Sequence, residues 1–290
     1  MRFAYHASMC APDQYLPLAR AVEAAGFDSF TFPDGICYPQ QTSTKYPYND
    51  DGSREFLDGV PFIETFIAMA AAAAVTTRLR MTTSVVKLAI RQPLIVAKQL
   101  SSLAVLSNNR IALGVGLSPW PEDFAACQVP WEGRGKRMDE IIDIIRGLMS
   151  GEYFGYEGEV FQIDPLKICP VPTQPVPILI GGHAEVALKR AARLGDGWIS
   201  AGTDLAGYSE FQRKINAYRA EYGRDKLPFE YHAMTREAYS TDGVKRLEDI
   251  GVHESIVAFR DAYANAPDTS LEHKLGEINW YAENIIAKSR

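Results

Sequence analysis

Four cysteines in 290 residues, Cys10, Cys37, Cys127 and Cys169, lie scattered without a CxxC pair. The sequence therefore offers neither a zinc cluster nor a disulfide framework, and a reducing cytoplasm with no bound metal is expected. Basic residues are in the minority: 30 against 36 acidic ones leave a net charge of −6. Nucleic acid and anionic membranes are poor partners for such a chain. Long hydrophobic runs are missing too. The most apolar stretch, Phe62 to Val75, is too short to span a bilayer, and the N-terminal MRFAYHASMC has no signal-peptide core. GxGxxG does not follow the first strand-like run, which weighs against an open doubly wound dinucleotide-binding sheet.

What is present is ample core. Hydrophobic residues make up 47% of the chain and charged ones 23%, the balance of an ordered globular protein and, by default, a small-molecule enzyme. Short β-branched or aromatic runs alternate with longer amphipathic stretches. Strands are predicted near 2–8, 28–33, 79–87, 111–116, 178–181, 198–201, 228–234 and 252–258. Helices are predicted near 13–25, 62–77, 91–107, 133–150, 183–195, 205–223, 242–250 and 270–287, with Gly26 and Gly195 as left-handed caps. This α/β alternation closes into a (β/α)8 TIM barrel, read as one domain over residues 1–290.

Two insertions follow strands 2 and 4. The first, residues 34–61, carries Tyr38, Tyr46, Tyr48 and Phe56 among Pro, Gly and Asp. It follows a strand, which puts it on the C-terminal face where barrel enzymes build their sites, and its length suits a lid. The second, residues 151–177, reads as a hairpin, YFGYEGEVFQI, and a proline-rich linker that covers the barrel.

Chemistry-bearing residues gather at strand ends. Gly181-Gly182-His183-Ala184 joins the fifth strand to a helix, and the free N–H groups of such a turn suit a phosphate. Gly114 and Gly116 end the fourth strand, where a planar ring can press on the backbone or the strands can close tightly. The third strand, Met81-Thr-Thr-Ser84-Val85-Val86-Lys87, interrupts an apolar run with hydroxyls. Asp34, Tyr46 and Tyr48 are the substrate-side candidates. Glu55, His6 and Arg260 are further ionisable groups, and Arg134 and Arg137 are expected to be solvated.

Five segments in order, AVEAAGFDSFTFPD, AAAAAVTTRLRMTTSVV, RQPLIVAKQLSSLAVLSNNRIALGVG, GRGKRMDEIIDIIRGL and PVPILIGGHAEVALKRAARLGDGW, resemble the bacterial luciferase-like monooxygenase superfamily. The loop stretch YPYNDDG is similar to its coenzyme F420-dependent oxidoreductase branch. The resemblance implies a barrel of the bacterial luciferase type, a flavin-like ring over a non-prolyl cis peptide placed at Ser84-Val85, and the cofactor phosphate at Gly181-Gly182-His183-Ala184. It also implies hydride exchange between the deazaflavin and a small organic substrate, and a homodimer. The alternatives are an FMN-dependent monooxygenase fed by a separate reductase and a non-catalytic cofactor- or ligand-binding barrel. Three family features are absent. Asp34 is followed by Gly35 where the branch's sugar-phosphate dehydrogenases carry a catalytic His, and Gly116 by Leu117-Ser118-Pro119 where they carry a Glu. Leu117 also lies near the place of the arginine that bacterial luciferase uses for flavin phosphate.

Overall fold

A computed structural model describes residues 1–42, 44–46, 51–260 and 267–290. Eight parallel strands, Arg2–His6, Ser29–Phe32, Arg80–Thr83, Ile111–Gly116, Ile178–Gly181, Gly197–Ile199, Glu230–Ala233 and Glu254–Val257, pair in chain order. The ring closes where Arg2 meets Glu254 and Tyr5 meets Val257. The predicted barrel is the observed one. Strand 79–87 is a correction: it stops at Thr83, passes through a cis Ser84–Val85 bond, and resumes as Val86–Lys87 beside Val115 and Gly116.

The period of two along each strand sorts side chains into two environments. On the first strand Phe3 and Tyr5 point outward, where Phe3 meets Tyr281 and Tyr5 meets Phe27. Phe30 and Phe32 are equally buried, and truncating one such ring to alanine costs about 3–5 kcal/mol. Arg2, Ala4 and His6 point inward at three depths. Arg2 joins a buried ionic plug with Arg80, Glu230, His232 and Glu254. Ala4 belongs to an apolar layer with Ala112, Leu179, Ile199 and Ile256. His6 emerges above that layer.

Helices Tyr15–Ala24, Thr65–Val75, Pro93–Leu106, Arg134–Leu148, Glu185–Leu194, Leu205–Glu221, Thr241–Asp249 and Leu271–Tyr281 lie where the sequence puts them. Their starts are capped locally: Gln92 accepts from the N–H groups of Leu94 and Ile95 ahead of Pro93, and Asp204, Ser240 and Ser270 do the same at theirs. Gly26 ends the first helix at φ +89°, as predicted. Gly195 is not left-handed but extended, with φ −74°. A glycine is needed there because a Cβ would stand 2.7 Å from the Ala191 carbonyl and 2.9 Å from that of Gly197. Among the described residues no helix is long and apolar enough to cross a membrane.

The second insertion forms the antiparallel hairpin Phe154–Glu157 and Gln162–Leu166, held on helix Arg134–Leu148. Buried Glu140 accepts from the N–H groups of Glu159, Val160 and Phe161. This insertion lies on the return to the fifth strand and adds nothing to the cavity described next. An additional helix, Pro121–Ala126, follows the fourth strand, and Trp120, just before it, does line the cavity.

Candidate active site

A cavity of about 1200 Å³ opens at the C-terminal mouth of the barrel, lined by residues that follow all eight strands. Its floor is the Ser84–Val85 step. Ser84 donates its N–H to Phe32 O at 2.7 Å, while Thr83 donates its hydroxyl to Gly114 O at 2.6 Å. The Val85 side chain then occupies the space between the ends of the fourth and fifth strands. A Cβ at Gly116 would lie 2.8 Å from Val85 Cγ2, and one at Gly181 would lie 3.0 Å from Cγ1. Both glycines make room for this shelf. Gly114 sits deeper, where a Cβ would collide with Thr83 O at 1.9 Å, so it serves strand approach and does not line the cavity.

Beside the shelf, Gly182 turns the chain at φ +112° into helix Glu185–Leu194, whose first turn has no side-chain cap. Ala187 N donates to Ala184 O at 2.8 Å, so the donors left for a ligand or solvent are those that precede it in the turn. Gly181 and Gly182 line the cavity. His183 ties the turn to its neighbour: Nε2 accepts from Ala201 N at 3.1 Å and the ring stacks on Phe211 at 4.5 Å. Burial holds the His183 pKa below its ordinary value. Ala184 is the residue at the helix entrance.

On the opposite wall, Asp34 is 1% exposed at its side chain and paired with Arg91 at 2.8 Å. It also accepts from Lys87 N at 2.9 Å and from the Thr65 hydroxyl at 3.2 Å. Such a saturated carboxylate anchors the strand ends. Tyr46 lies nearly parallel to Trp120, centroids 5.4 Å apart and planes at 17°, with Phe56 edge-on to it. Tyr48 falls outside the described residues. Glu55 is exposed and is not among the lining residues. His6 rises from the first strand with Nδ1 2.8 Å from the Thr31 hydroxyl, and burial pushes its pKa down to about 4. Arg260 lines the far side and donates to Met9 O. Arg134 and Arg137 are not free surface charges: Arg134 lies over Trp131 at 3.5 Å and Arg137 donates to Ala89 O.

Three lining residues escaped the sequence reading. Lys87 pairs with buried Asp123 at 2.7 Å. Arg54 is 6% exposed, and its guanidinium lies 4.0 Å from the Trp120 ring. Only the clustering of aromatics around SREF and SPWP hinted at the last two, since an isolated arginine in a loop reads as solvated.

The family model for luciferase-like monooxygenases matches residues 3–278. The chain belongs to this family. Within it, the chain is 52% identical over 289 residues to an uncharacterised protein of Mycobacterium tuberculosis, covering 99% of this chain and 100% of that one. It is 30% identical over 213 residues to the F420-dependent glucose-6-phosphate dehydrogenase of Nakamurella multipartita, covering 69% of this chain and 56% of the relative. Among solved structures, an F420-dependent secondary alcohol dehydrogenase in complex with an F420-acetone adduct superposes with a TM-score of 0.75 at 17% identity, over 100% and 99% of the two chains. A monooxygenase of Streptomyces bottropensis does so with a TM-score of 0.74 at 16% identity, over the whole of both. The family thus spans F420-dependent and monooxygenase chemistry on one fold, and fold alone does not choose between them.

Proposed function

We propose that this chain is a coenzyme F420-dependent oxidoreductase that exchanges a hydride between the deazaflavin and a small organic substrate. The observation that carries the reading is the floor of the cavity, where the Val85 shelf is framed by two positions that lack a Cβ, beside an uncapped helix entrance. A flat ring fits the first feature and a phosphate the second. The volume also fits, since about 1200 Å³ exceeds the roughly 300–1,000 Å³ of a single-ligand pocket and leaves room for cofactor and substrate together.

Ser84, Val85 and Gly116 would support the ring, and Gly181, Gly182, His183 and Ala184 the phosphate, with Gly114 setting the strand spacing beneath them. Bound there, the deazaflavin would supply two electrons as a hydride. The chain's own residues then orient the substrate and manage its proton. Neutral His6, fixed by Thr31, faces the cavity as a hydrogen-bond partner for a substrate oxygen. Asp34 acts as a positioning residue that holds Lys87, Arg91 and the floor in register. Tyr46 closes the substrate side and excludes water, and Tyr48 is kept as a substrate-side candidate on the sequence alone. A sugar phosphate is not the proposed substrate, because Gly35 and Leu117 stand where the sugar-phosphate dehydrogenases carry their acid and base. The unit of function is the full 1–290 barrel as a cytoplasmic homodimer.

Titration of the purified protein with F420 and with FMN tests the assignment. Micromolar or tighter F420 binding and turnover on a panel of alcohols, enones and imines is expected. Tight FMN binding with no F420 binding would overturn it in favour of a reductase-fed monooxygenase, and F420 binding without turnover anywhere would favour a binding barrel.

A further inference from the structure

Arg54 is the least explained charge in the cavity. It is 6% exposed, yet among the described residues its buried Nε and Nη1 atoms have no hydrogen-bond partner. Its two nearest rings, Trp120 at 4.0 Å and Tyr38 at 5.1 Å, satisfy the cation's faces but accept nothing from its edge. The nearest carboxylate oxygen, Glu122 Oε2, is 3.9 Å from Nη1, beyond hydrogen-bond reach, and the Glu122 carboxylate already takes the hydroxyls of Thr42 and Thr44. A buried donor left unpaired is costly, so the site gains from an acceptor that the described residues do not supply.

The other charges of the cavity do not offer that acceptor. Asp34 is committed to Arg91, Asp204 caps its own helix at Gly207 N, and Glu237 pairs with Arg246. On the cationic side, Lys87 is neutralised by Asp123 and Arg260 by Asp268, while the remaining lining cation, Arg236, is exposed to solvent. Within a chain of net charge −6, Arg54 therefore stands as a preorganised positive site in an aromatic wall of Tyr38, Tyr46, Phe56 and Trp120.

We propose that Arg54 is an oxyanion subsite and that the substrate is an organic carboxylate, its anionic group held by the guanidinium edge and its apolar body by the aromatic wall. The role as substrate rests on the oxidoreductase reading above; the anion subsite itself does not. The same chemistry has a second source, an acidic group of the bound cofactor, and the experiment separates the two.

Calorimetry on the full-length protein without cofactor compares benzoate with its neutral isostere benzamide, and a parallel titration follows F420. Benzoate is expected to bind about tenfold tighter than benzamide, and Arg54→Met to erase that preference while leaving F420 affinity unchanged. Equal binding of the two probes by the unaltered protein, or a preference that survives in Arg54→Met, would overturn the proposal. Loss of F420 affinity together with benzoate would assign the anion to the cofactor and overturn the substrate role. If Arg54→Met does not fold, Arg54→Lys keeps a cation between the rings but loses the fork. Benzoate should then bind about threefold or more weakly, and unchanged affinity would overturn the assignment. Absence of F420 binding with the benzoate preference intact would sink the cofactor reading alone.

Discussion

Val85 Cγ2 lies 2.8 Å from the point where a Cβ on Gly116 would stand, whereas the point above Gly114 is filled by the Thr83 carbonyl oxygen at 1.9 Å. The two glycines share one strand and one face yet guard different things: the first meets a side chain that can turn, the second a backbone that cannot. Gly116→Ala should tilt Val85 into the cavity and weaken F420 binding about tenfold, or about 1.4 kcal/mol, at little cost in stability. Gly114→Ala should cost about 3 kcal/mol of stability, the upper end of overpacking penalties. Thermal melts beside cofactor titrations check both, and equal melting temperatures for the two variants would contradict the distinction.

That pair also marks where sequence reasoning stops. The G-V-G spacing says that both glycines share one face of the strand, since strand periodicity is two, but depth in the barrel comes only from how neighbouring strands are staggered. The barrel itself was legible because each strand carries its own pattern, as in the first, where Phe3 and Tyr5 alternate with Arg2, Ala4 and His6. Gly195 shows the opposite case: glycine at a helix end suggested a left-handed cap, while the real demand is room between the Ala191 and Gly197 carbonyls. Arg54 and Trp120 sit in different loops, and no local pattern announces that they meet. Tyr46 was found as an aromatic in a lid-length loop, but its stacking partner was not.

The ionic plug at the base of the barrel should dominate the acid limb of stability. Burial alone would raise the pKa values of Glu230 and Glu254, but contacts with His232, Arg80 and Arg2 outweigh it and hold both well below the usual carboxylate range. Burial likewise opposes charge on His232, yet the two carboxylates win and its pKa is raised. The carboxylates' contribution is thus present above about pH 4.3, their unfolded value, and is lost as pH falls toward their folded values. That of His232 is complete below about pH 6.5 and is lost as pH rises through its raised folded pKa. Glu254→Gln should cost about 3–5 kcal/mol by leaving buried cations uncompensated and should flatten the melting temperature between pH 3 and 5. A variant that melts with the unaltered acid dependence would show that the plug does not set it.

Helix Thr65–Val75 is apolar on nearly every face, but Ile67, Ala70 and Ala74 are exposed along one of them, and Ile95 and Leu106 are exposed on helix Pro93–Leu106, which packs beside it. An all-apolar helix belongs in a covered position, and a second copy of the chain is the expected cover. Light scattering should give a dimer mass, and Ile67→Glu with Ile95→Glu should yield monomers that keep the barrel's circular dichroism. A monomeric unaltered protein at micromolar concentration would refute the expectation.

His6 supplies the last expectation, because its position and its protonation are fixed by the same burial. It ends the first strand inside the barrel, 2.8 Å from the Thr31 hydroxyl, and burial pushes its pKa down to about 4. The ring is therefore neutral across the physiological range, with one nitrogen engaged by Thr31 and the other available to the cavity. A neutral imidazole can hydrogen-bond to a carbonyl or alkoxide oxygen without carrying a competing charge, in the manner of a preorganised electrophile. Single-turnover hydride transfer should consequently show no limb near the ordinary histidine pKa of about 6.5, and should fall only as pH approaches 4. His6→Gln keeps a donor but not the ring's aim, and should slow transfer by about 10²-fold with F420 affinity intact. Thr31→Val should slow it less, by freeing the ring to rotate. A limb near pH 6.5 that vanishes in His6→Gln would mean that the ring titrates in contact with water, and a normal rate in His6→Gln would move the proton-handling role to the loop tyrosines.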